Sequence, residues 1–575
     1  MSDPAAELSS RVLRAVVAAF GSDFAGTDPV IRPSQFADFQ ANAALPLAKQ
    51  LKVPPREVAA RIVAALDVGD LVSDIGISGP GFVNITLDDQ WIGAQAQALL
   101  ADPRVGVPVQ PKQRIPIDYS APNVAKEMHV GHLRTTVVGD ALARTLEHLG
   151  HLVIRQNHIG DWGTPFGMLI EHLLDVGEDS ADARLLGSDP NAFYQAARGK
   201  FDSSDDFALR ARARVVALQG GDIDTLRLWS DLLDMSKTYF NSIYSKLDVT
   251  LTDGDLMGES RYNAELADIC DELERKGIAV VSEGALCVFL PGFTGREGKP
   301  VPLIIRKSDG GYGYGTTDLA TIRYRVQQLK ADRILYVIGA TQHLHLQMVW
   351  QTARMAGWLP DSIDPVHVQI GNVLGPDGKI LKTRSGQPVR LGELLDEAVE
   401  RASSVVAKAR PDLDEGTRAA IAVEVGIGAV KYADLSVGHA TEYTFDFDRM
   451  LALSGNTGPY LQYAAARIRS ILRRAEQSAE AGPIVVSSPA ERALCLTLLA
   501  FGASVVEVGD ALEPHRLCTY LFTLAQSYTT FYENCPVLKA ETPELLRSRL
   551  ALCSATLRVL EPGLSLLGVV APQQM

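Results

Sequence analysis

Two histidines flank a valine and a glycine in the run His129-Val130-Gly131-His132, and residues of these types can bind a phosphate group. Imidazole N–H groups donate hydrogen bonds that follow the charge developing on a phosphoryl oxygen during its transfer. The glycine lets a ligand approach the backbone closely. If a helix begins here, its first backbone N–H groups carry partial positive charge and attract the same phosphate. The run therefore predicts a phosphoryl-transfer site at the start of a helix.

The residues around this run predict the elements that must position it. Residues 114–120 are typical of a short buried strand. Apolar residues then recur at helical spacing over 133–149, Gly150 ends the helix, and residues 151–155 start a second strand. The histidines therefore lie at the junction of a strand and a helix, within a strand–helix–strand unit.

A second charged stretch, residues 375–386, begins and ends with glycine. Lys379, Lys382 and Arg384 make it cationic, and the glycines predict a flexible loop. Such a loop could close on a nucleoside triphosphate and neutralise the leaving pyrophosphate. Most loops of this composition are simply solvated, so it supports a nucleotidyl-transfer site only together with the histidines.

Length and composition describe a soluble protein of several domains. The 575 residues exceed what one core supports, and 46% hydrophobic and 22% charged residues are ordinary values. The net charge of −14 argues against a nucleic-acid coat protein but allows a local basic face. We expect no membrane-spanning run and no signal peptide. The six cysteines form no CxxC pair, so we expect neither a zinc ribbon nor disulfides, in a reducing cytoplasm.

The pattern of apolar residues divides the chain into three predicted domains. Residues 1–110 form a first unit with helical stretches and an edge strand. Residues 111–395 alternate strands and helices, which predicts an open parallel sheet with insertions near 178–245 and 280–306. Residues 396–575 are helical almost throughout. The clearest strands of the sheet are predicted at residues 115–120, 151–156, 334–339 and 366–371.

One predicted helix of the last domain carries a basic cluster of Arg467, Arg469, Arg473 and Arg474. This cluster could contact nucleic acid in an otherwise acidic protein. A solvated helix face is the simpler interpretation of the same residues.

Longer motifs around these residues resemble one family of enzymes. Residues 129–132 are similar to the HIGH signature of class I aminoacyl-tRNA synthetases, and residues 381–384 to a degenerate KMSKS loop. Further runs resemble arginyl-tRNA synthetase specifically, at residues 120–134, 158–167, 455–463, 535–538 and the final Met575. The resemblance covers nearly the whole chain.

The resemblance implies an activity and a fold. Arginyl-tRNA synthetases join L-arginine to ATP as arginyl-adenylate and then transfer the arginyl group to the 3′-terminal adenosine of tRNA(Arg). The implied α/β fold has a Rossmann-type parallel-sheet catalytic domain with insertions, an N-terminal α+β tRNA-elbow domain and an all-α C-terminal anticodon-binding bundle. We further expect ATP with Mg²⁺, no structural zinc, no membrane contact, and a cytoplasmic monomer.

The resemblance also implies catalytic and ATP-binding residues. The matching positions are His129, Gly131, His132, Lys382 and Arg384. The loop departs from the family pattern because Thr383 stands where the second lysine of KMSKS would be. Family members with this departure carry a lysine just upstream of HIGH, and here that residue is Lys126. A solvent-exposed loop lysine is the alternative interpretation of Lys126.

The implied arginine site comprises Asp118, Ser120, Asn123, His132, Tyr314, Asp318 and Gln342. The carboxylates of Asp118 and Asp318 suit a planar, permanently charged guanidinium. Asn123 and Gln342 suit the amino and carboxylate ends of the amino acid. Tyr314 lies four residues before Asp318, so both face one side of a helix. Either aspartate alone could instead only cap a turn or a helix.

Contacts with tRNA are implied in the first and last domains. In the first domain the matching loop contains Phe36, Asp38, Phe39, Gln40 and Asn42. In the last domain the matching positions are Tyr460, Tyr463, Arg467 and Met575. Aromatic rings stack on unpaired bases, although we expect one of the two tyrosines to belong to the core.

Two other functions remain open on the sequence alone. A catalytically reduced paralogue could bind tRNA without activating arginine, although every matched position carries a plausible residue. A specialised duplicate could catalyse the same reaction while resisting an arginine-like inhibitor, because fold and motifs do not fix biological role.

Overall fold

The computed structural model of the chain describes residues 3–124, 126–295, 298–382, 388–475 and 481–575. Thr383 and Arg384 of the predicted basic loop lie outside the described residues.

The elements of the first unit are α1 (Pro4–Phe20), β1 (Ile31–Pro33), β2 (Phe39–Ala41), α2 (Ala44–Leu51), α3 (Pro55–Ala64), β3 (Val72–Ser78), β4 (Phe82–Leu87) and α4 (Asp89–Ala98). The strands form an antiparallel sheet in the order β1-β2-β4-β3. Strand β4 buries Val83, Ile85 and Leu87 and leaves the alternate side chains half-buried, because helices cover one face of the sheet. This confirms the predicted α+β unit.

The elements of the second unit are β5 (Arg114–Asp118), α5 (Val130–His148), β6 (Leu152–Ile159), α6 (Thr164–Val176), α7 (Leu185–Ser188), α8 (Pro190–Ser203), α9 (Asp205–Gln219), α10 (Ile223–Leu247), β7 (Leu256–Gly258), α11 (Asn263–Arg275), β8 (Ala279–Ser282), β9 (Ala285–Thr294), β10 (Pro300–Arg306), α12 (Tyr314–Gln327), β11 (Arg333–Gly339), α13 (His343–Met355), β12 (Asp364–Ile370) and β13 (Val373–Leu374). All four predicted strands of the sheet are confirmed. The insertions are the helices α7 to α10 and the antiparallel sheet β10-β9-β8.

The strands β12-β11-β5-β6-β7 form a parallel sheet in that order. The chain leaves β5 through α5 to reach β6 on one side, whereas β11 lies on the other side of β5. Helix α5 therefore begins where the strand order reverses. Open parallel sheets bind ligands beyond the carboxyl ends of their strands at such a point.

The elements of the last unit are α14 (Leu391–Ala409), α15 (Glu415–Leu435), β14 (Tyr443–Thr444), α16 (Phe447–Met450), α17 (Gly458–Ala475), α18 (Pro489–Leu499), α19 (Phe501–Ala511), α20 (His515–Asn534) and α21 (Pro543–Leu566). The unit is mostly helical, as predicted. The boundaries at residues 110 and 395 remain predictions, and the second falls inside α14, which packs along α15.

The stretch Pro489–Ala511, which contains α18 and α19, is long and apolar enough to cross a membrane by length and composition alone. We expected no such run from the sequence. Half of its most apolar window is buried, and α18 packs against α20 and α4, as a core helix of a soluble protein does.

The first and last units contact each other through Arg492 of α18. Its guanidinium donates to both carboxylate oxygens of Asp38 at 2.5 and 2.7 Å and to Asp89 at 2.7 Å. Asp38 also accepts the backbone N–H of Leu87 at 2.7 Å. The carboxylate of Asp38 therefore joins two units, and is not free for the tRNA contact that the resemblance implied.

Helix α5 is joined to the last unit by a buried ion pair. The Nε of Arg134 lies 3.2 Å from Oδ1 of Asp434, and both side chains are buried. A second guanidinium nitrogen donates to the carbonyl oxygens of Gly371 and Thr441 at 3.1 and 2.8 Å. Tyr443 donates its hydroxyl to the other oxygen of Asp434 at 3.1 Å. The charges are thus fully hydrogen-bonded, which a buried pair requires.

Replacing Asp434 by Ala should destabilise the protein strongly. The change leaves the Arg134 guanidinium buried without its charge partner, which costs about 3–5 kcal/mol of unfolding free energy. Urea unfolding measures the loss. The exposed pair Arg401–Glu397 provides the control, because Glu397→Ala should leave the midpoint near that of the wild type. Equal midpoints for Asp434→Ala and the wild type would contradict the assigned role.

Candidate active site

His129 and His132 together cap the first turn of α5. His129 is the N-cap residue, and its Nδ1 accepts the backbone N–H of Gly131 at 3.0 Å. The Nδ1 of His132 accepts the backbone N–H of His129 at 3.1 Å. The ring centroids lie 4.0 Å apart. Two of the N–H groups that a helix start leaves without partners are therefore satisfied by imidazoles.

Both imidazoles are held in the neutral form with the proton on Nε2. A ring nitrogen that accepts an N–H group carries no proton, so each Nδ1 is bare. Burial lowers the pKa of His132 to about 3, and the charges of His129 and Lys126 add to this effect. Burial also lowers the pKa of His129, again assisted by Lys126. Each Nε2–H therefore remains a hydrogen-bond donor for a ligand at neutral pH.

The chain after the predicted basic loop returns directly to the histidines. Residues 389–391 pair with residues 128–130 through backbone hydrogen bonds of 3.0 and 2.9 Å, and Arg390 forms an antiparallel bridge with His129. Lys382 and Pro388 pair in the same way at the two ends of the part of the loop that is not described. The described residues of the two sequence signatures therefore line one cleft, although about 250 residues separate them.

Two clefts meet at the histidines. The larger has a volume of about 710 Å³, and its walls contain every described residue of the predicted ATP and arginine sites except Lys126. The smaller has a volume of about 380 Å³ and is lined by Lys126, His129, His132, Tyr194 and Arg390 among others. The structure thus brings together residues from β5, α5, α12, β11 and the loop before α14.

Two acidic side chains, Asp318 and Glu259, line the larger cleft close to each other. Asp318 lies one helical turn after Tyr314, and its Oδ2 is 2.5 Å from Nε2 of His345. This contact raises the pKa of His345. Glu259, at the start of a 3₁₀ turn after β7, also lines the cleft. Burial, followed by the charges of Asp318 and Asp161, raises its pKa to about 8.

Glu259 and His345 were not predicted from the sequence. Glu259 lies in a short irregular segment without hydrophobic periodicity. His345 follows Gln342, which was predicted, by three residues and could have been found from that spacing on the first turn of α13.

Asp118 is paired within the chain, which changes its predicted role. Its Oδ2 accepts Arg325 at 2.7 Å, and Arg325 is fully buried. Its Oδ1 is buried and has no hydrogen-bond partner among the described residues. Asp118 is therefore not a free counter-ion for a guanidinium, but one oxygen is left to accept a single hydrogen bond.

The hydroxyl of Ser120 is also occupied. It lies 2.8 Å from the hydroxyl of Tyr244 and accepts Thr136 at 2.9 Å. Ser120 has a positive φ of 72°, so it turns the chain out of β5 towards α5. Its contribution to the cleft is structural rather than that of a free hydroxyl.

The predicted tRNA contacts lie on two separate surfaces. In the first unit Phe36 is 82% exposed, whereas Phe39, Gln40 and Asn42 are only partly exposed. In α17 the hydroxyl of Tyr460 lies 3.3 Å from Thr529, and its ring packs edge-on against Phe522.

Tyr463, one turn further along α17, lies beneath the guanidinium of Arg467, 4.8 Å from the ring centroid. The carbonyl of Met575 accepts Arg410 at 3.3 Å. Both tyrosines are half-buried; Tyr460 packs against the core, whereas the ring and hydroxyl of Tyr463 contact Arg467.

Within the described part of the chain, no group of three or more His, Cys, Asp or Glu side chains is placed to hold a metal ion. All six cysteines are described, and each is buried without a disulfide.

Family models match along most of the chain. The model "tRNA synthetases class I (R), catalytic domain" matches residues 95–447. "DALR anticodon binding domain" matches residues 461–575, and "Arginyl tRNA synthetase N terminal domain" matches residues 6–87.

Individual relatives agree with the family models. A protein of Thermobifida fusca (strain YX) named arginine–tRNA ligase is 72% identical over 100% of both chains. Another with this name, from Streptomyces coelicolor, is 50% identical over 98% of both chains. The crystal structure of arginyl-tRNA synthetase from Plasmodium falciparum superposes with a TM-score of 0.82, at 27% identity and over 100% of both chains.

Replacing Gly131 by Ala should displace the His129 ring without unfolding α5. The new Cβ would lie 2.8 and 2.9 Å from Cε1 and Nδ1 of that ring, so the ring must move and lose its bond from residue 131. Nitrogen-15 NMR of histidine-labelled protein at pH 7 should show neutral Nε2–H rings for His129 and His132 in the wild type. The variant should change the His129 signals most.

Gly392→Ala is the matched control, because its Cβ would meet only Ile243 at an ordinary 3.4 Å. Unchanged His129 signals in the Gly131 variant would show that the cap does not depend on this glycine.

Proposed function

Because the chain belongs to the arginyl-tRNA synthetase family, whose members use ATP to join arginine to tRNA(Arg), we propose that its larger cleft holds arginine and ATP end to end. The observation that carries this assignment is the polarity of the cleft. Asp318 and Glu259 line this cleft close to each other, and the neutral imidazoles at the N-terminus of α5 line it as well. A guanidinium fits the two carboxyl groups, and a phosphate fits the start of the helix.

Arginine activation requires little from the protein beyond position and electrostatics. The substrate carboxylate attacks the α-phosphorus of ATP, the bond to the β-phosphate breaks, and pyrophosphate leaves. The Nε2–H groups of His129 and His132 and the first N–H groups of α5 would donate to the α-phosphate oxygens as their charge grows. Since the imidazoles are neutral, they stabilise this charge without taking or giving a proton.

Different residues would bind the side chain and the α-amino group of arginine. We assign the guanidinium to Asp318 and Glu259, with the ring of Tyr314 beside it. The buried free oxygen of Asp118 suits one N–H of the α-amino group. Asn123 and Gln342, which line the same cleft, complete this end of the substrate.

The β- and γ-phosphates would extend towards the cationic residues. Lys126 lines the smaller cleft, and Lys382 lines the larger one on the loop side. We propose that Arg384 also contacts ATP, and this proposal rests on the sequence alone. Magnesium is proposed as the companion of ATP, as it is for nucleotides generally, and no protein ligand set is assigned to it.

Contacts with tRNA(Arg) are proposed at both ends of the molecule. Tyr463 and Arg467 on α17, near Met575, would meet anticodon bases. Phe39, Gln40 and Asn42, beside the exposed Phe36, would meet the tRNA elbow. We also propose that the chain acts as a cytoplasmic monomer, with its buried, unpaired cysteines fitting a reducing compartment.

One assay tests the activity. ATP–pyrophosphate exchange with arginine, with and without tRNA, should be specific for arginine over lysine and citrulline. A tRNA-binding paralogue without catalysis is not supported, since relatives named arginine–tRNA ligase match the chain from end to end. Exchange that is absent with tRNA, or indifferent to the amino acid, would overturn the assignment.

Replacing Asp318 by Asn should weaken arginine binding selectively. The change keeps the volume and removes the charge, and loss of one member of a buried charged pair costs about 3–5 kcal/mol. Arginine affinity measured by calorimetry should therefore fall more than about a hundredfold. ATP affinity should stay within about twofold. Intact arginine binding in this variant would contradict the orientation proposed for the substrate.

Arginine affinity should also depend on pH through Glu259. With its pKa raised to about 8, this carboxyl is mostly protonated at pH 6 and must lose its proton to pair with a guanidinium. The dissociation constant of arginine should therefore fall about tenfold per unit from pH 6 to 8 and then level off. Calorimetry in buffers of different ionisation enthalpy should detect proton release. Glu259→Gln should remove both effects, and a flat wild-type profile would contradict the assignment.

A further inference from the structure

Among the described residues, the side chain of Lys126 packs on an aromatic ring and forms no ion pair with a carboxylate. Its Nζ lies 4.1 Å from the centroid of the Tyr194 ring, which projects from the inserted helix α8. The charge of Lys126 lowers the pKa of both His129 and His132, so the ammonium also lies near the imidazoles. Tyr194 lines the smaller cleft together with these residues.

The acidic side chains that line the smaller cleft with Lys126 pair with another residue. Glu127, its sequence neighbour, pairs through Oε2 with Nε of Arg390 at 2.8 Å. Arg390 also pairs with Asp189 at 3.2 Å and with Glu393 at 3.5 Å. The backbone of Arg390 is fixed by its bridge to His129. Arg390 therefore pairs with three carboxylates of this region, including the one next to Lys126 in the sequence.

We propose that Tyr194 is a positioning residue that holds Lys126 over the smaller cleft for the β- and γ-phosphates of ATP, while Arg390 keeps Glu127 from pairing with it. The inference rests on the phosphate role proposed above for Lys126. It adds two residues from elements that carry neither of the two signature motifs.

The physical advantage of a ring over a carboxylate is that it orients the ammonium without neutralising it. A carboxylate partner would compete with phosphate for the same charge, whereas a ring face attracts a cation weakly and leaves its charge available. The lysine stem has four rotatable bonds, and ordering such a side chain opposes binding. Lys126 stands outside the loop that contains Thr383, so its side chain must be ordered by other contacts.

The first experiment compares Tyr194→Leu with Tyr194→Phe in pyrophosphate exchange with tRNA present. Loss of the ring should lower kcat/KM for ATP about 3- to 30-fold, the range of a cation–π contact, and Phe should restore it. Arginine affinity by calorimetry should not change. In a Lys126→Ala background, Tyr194→Leu should have no further effect. Additive losses, or a Phe variant as defective as Leu, would overturn the inference.

The second experiment tests the role of Arg390. Arg390→Gln should free Glu127 to pair with Lys126 and so raise KM for ATP, and adding Glu127→Gln should recover most of the loss. A double variant no better than Arg390→Gln would overturn this part.

The two proposals fail in different ways. If Lys126→Ala exchanges pyrophosphate normally, the phosphate role of the lysine is wrong. If Lys126→Ala is defective but Tyr194→Leu is normal, only the positioning role is wrong.

Discussion

The burial of Arg134 against Asp434 is the interaction on which the active site most depends. It fixes the body of α5 to the last unit, while the first turn of the same helix lies in the cleft with His129 and His132. Helix α5 also packs against α14, α15, α19 and α21. Any rearrangement of the helical unit on binding tRNA would therefore act on the helix to which we assign the phosphate donors. This is a physical route by which tRNA could change the populations of cleft conformations.

The charged side chains of the two clefts form two groups. Asp318 lies close enough to Glu259 to raise its pKa, and Lys126 lies close enough to His129 and His132 to lower theirs. Arginine and a triphosphate carry the complementary charges. The protein carries a net charge of −14, so we attribute the proposed binding of ATP to these local groups and not to the overall charge.

The sequence predicted the elements whose signal is local and left out those that depend on distant contacts. The unit β5–α5–β6 follows from hydrophobic periodicity, and the four-residue spacing placed Tyr314 with Asp318. The pairing of Asp118 could not be predicted in this way, because its partner Arg325 lies 207 residues further along the chain. The pairing of Asp38 with Arg492 likewise has no local signal, because 454 residues separate the two. Glu259 lines the cleft because β7, which precedes it, pairs at the edge of the sheet. The hydrophobic periodicity of the sequence does not predict this pairing.

The account is tested most directly by a crystal structure with a non-hydrolysable sulfamoyl analogue of arginyl-adenylate. Its guanidinium should lie within hydrogen-bonding distance of Asp318 and Glu259, and its sulfamoyl group should accept from Nε2 of His129 or His132. The central claim is that one cleft binds arginine beside Asp318 and Glu259 and phosphate at the helix N-terminus. A guanidinium bound in the smaller cleft, or a sulfamoyl group away from the start of α5, would contradict it.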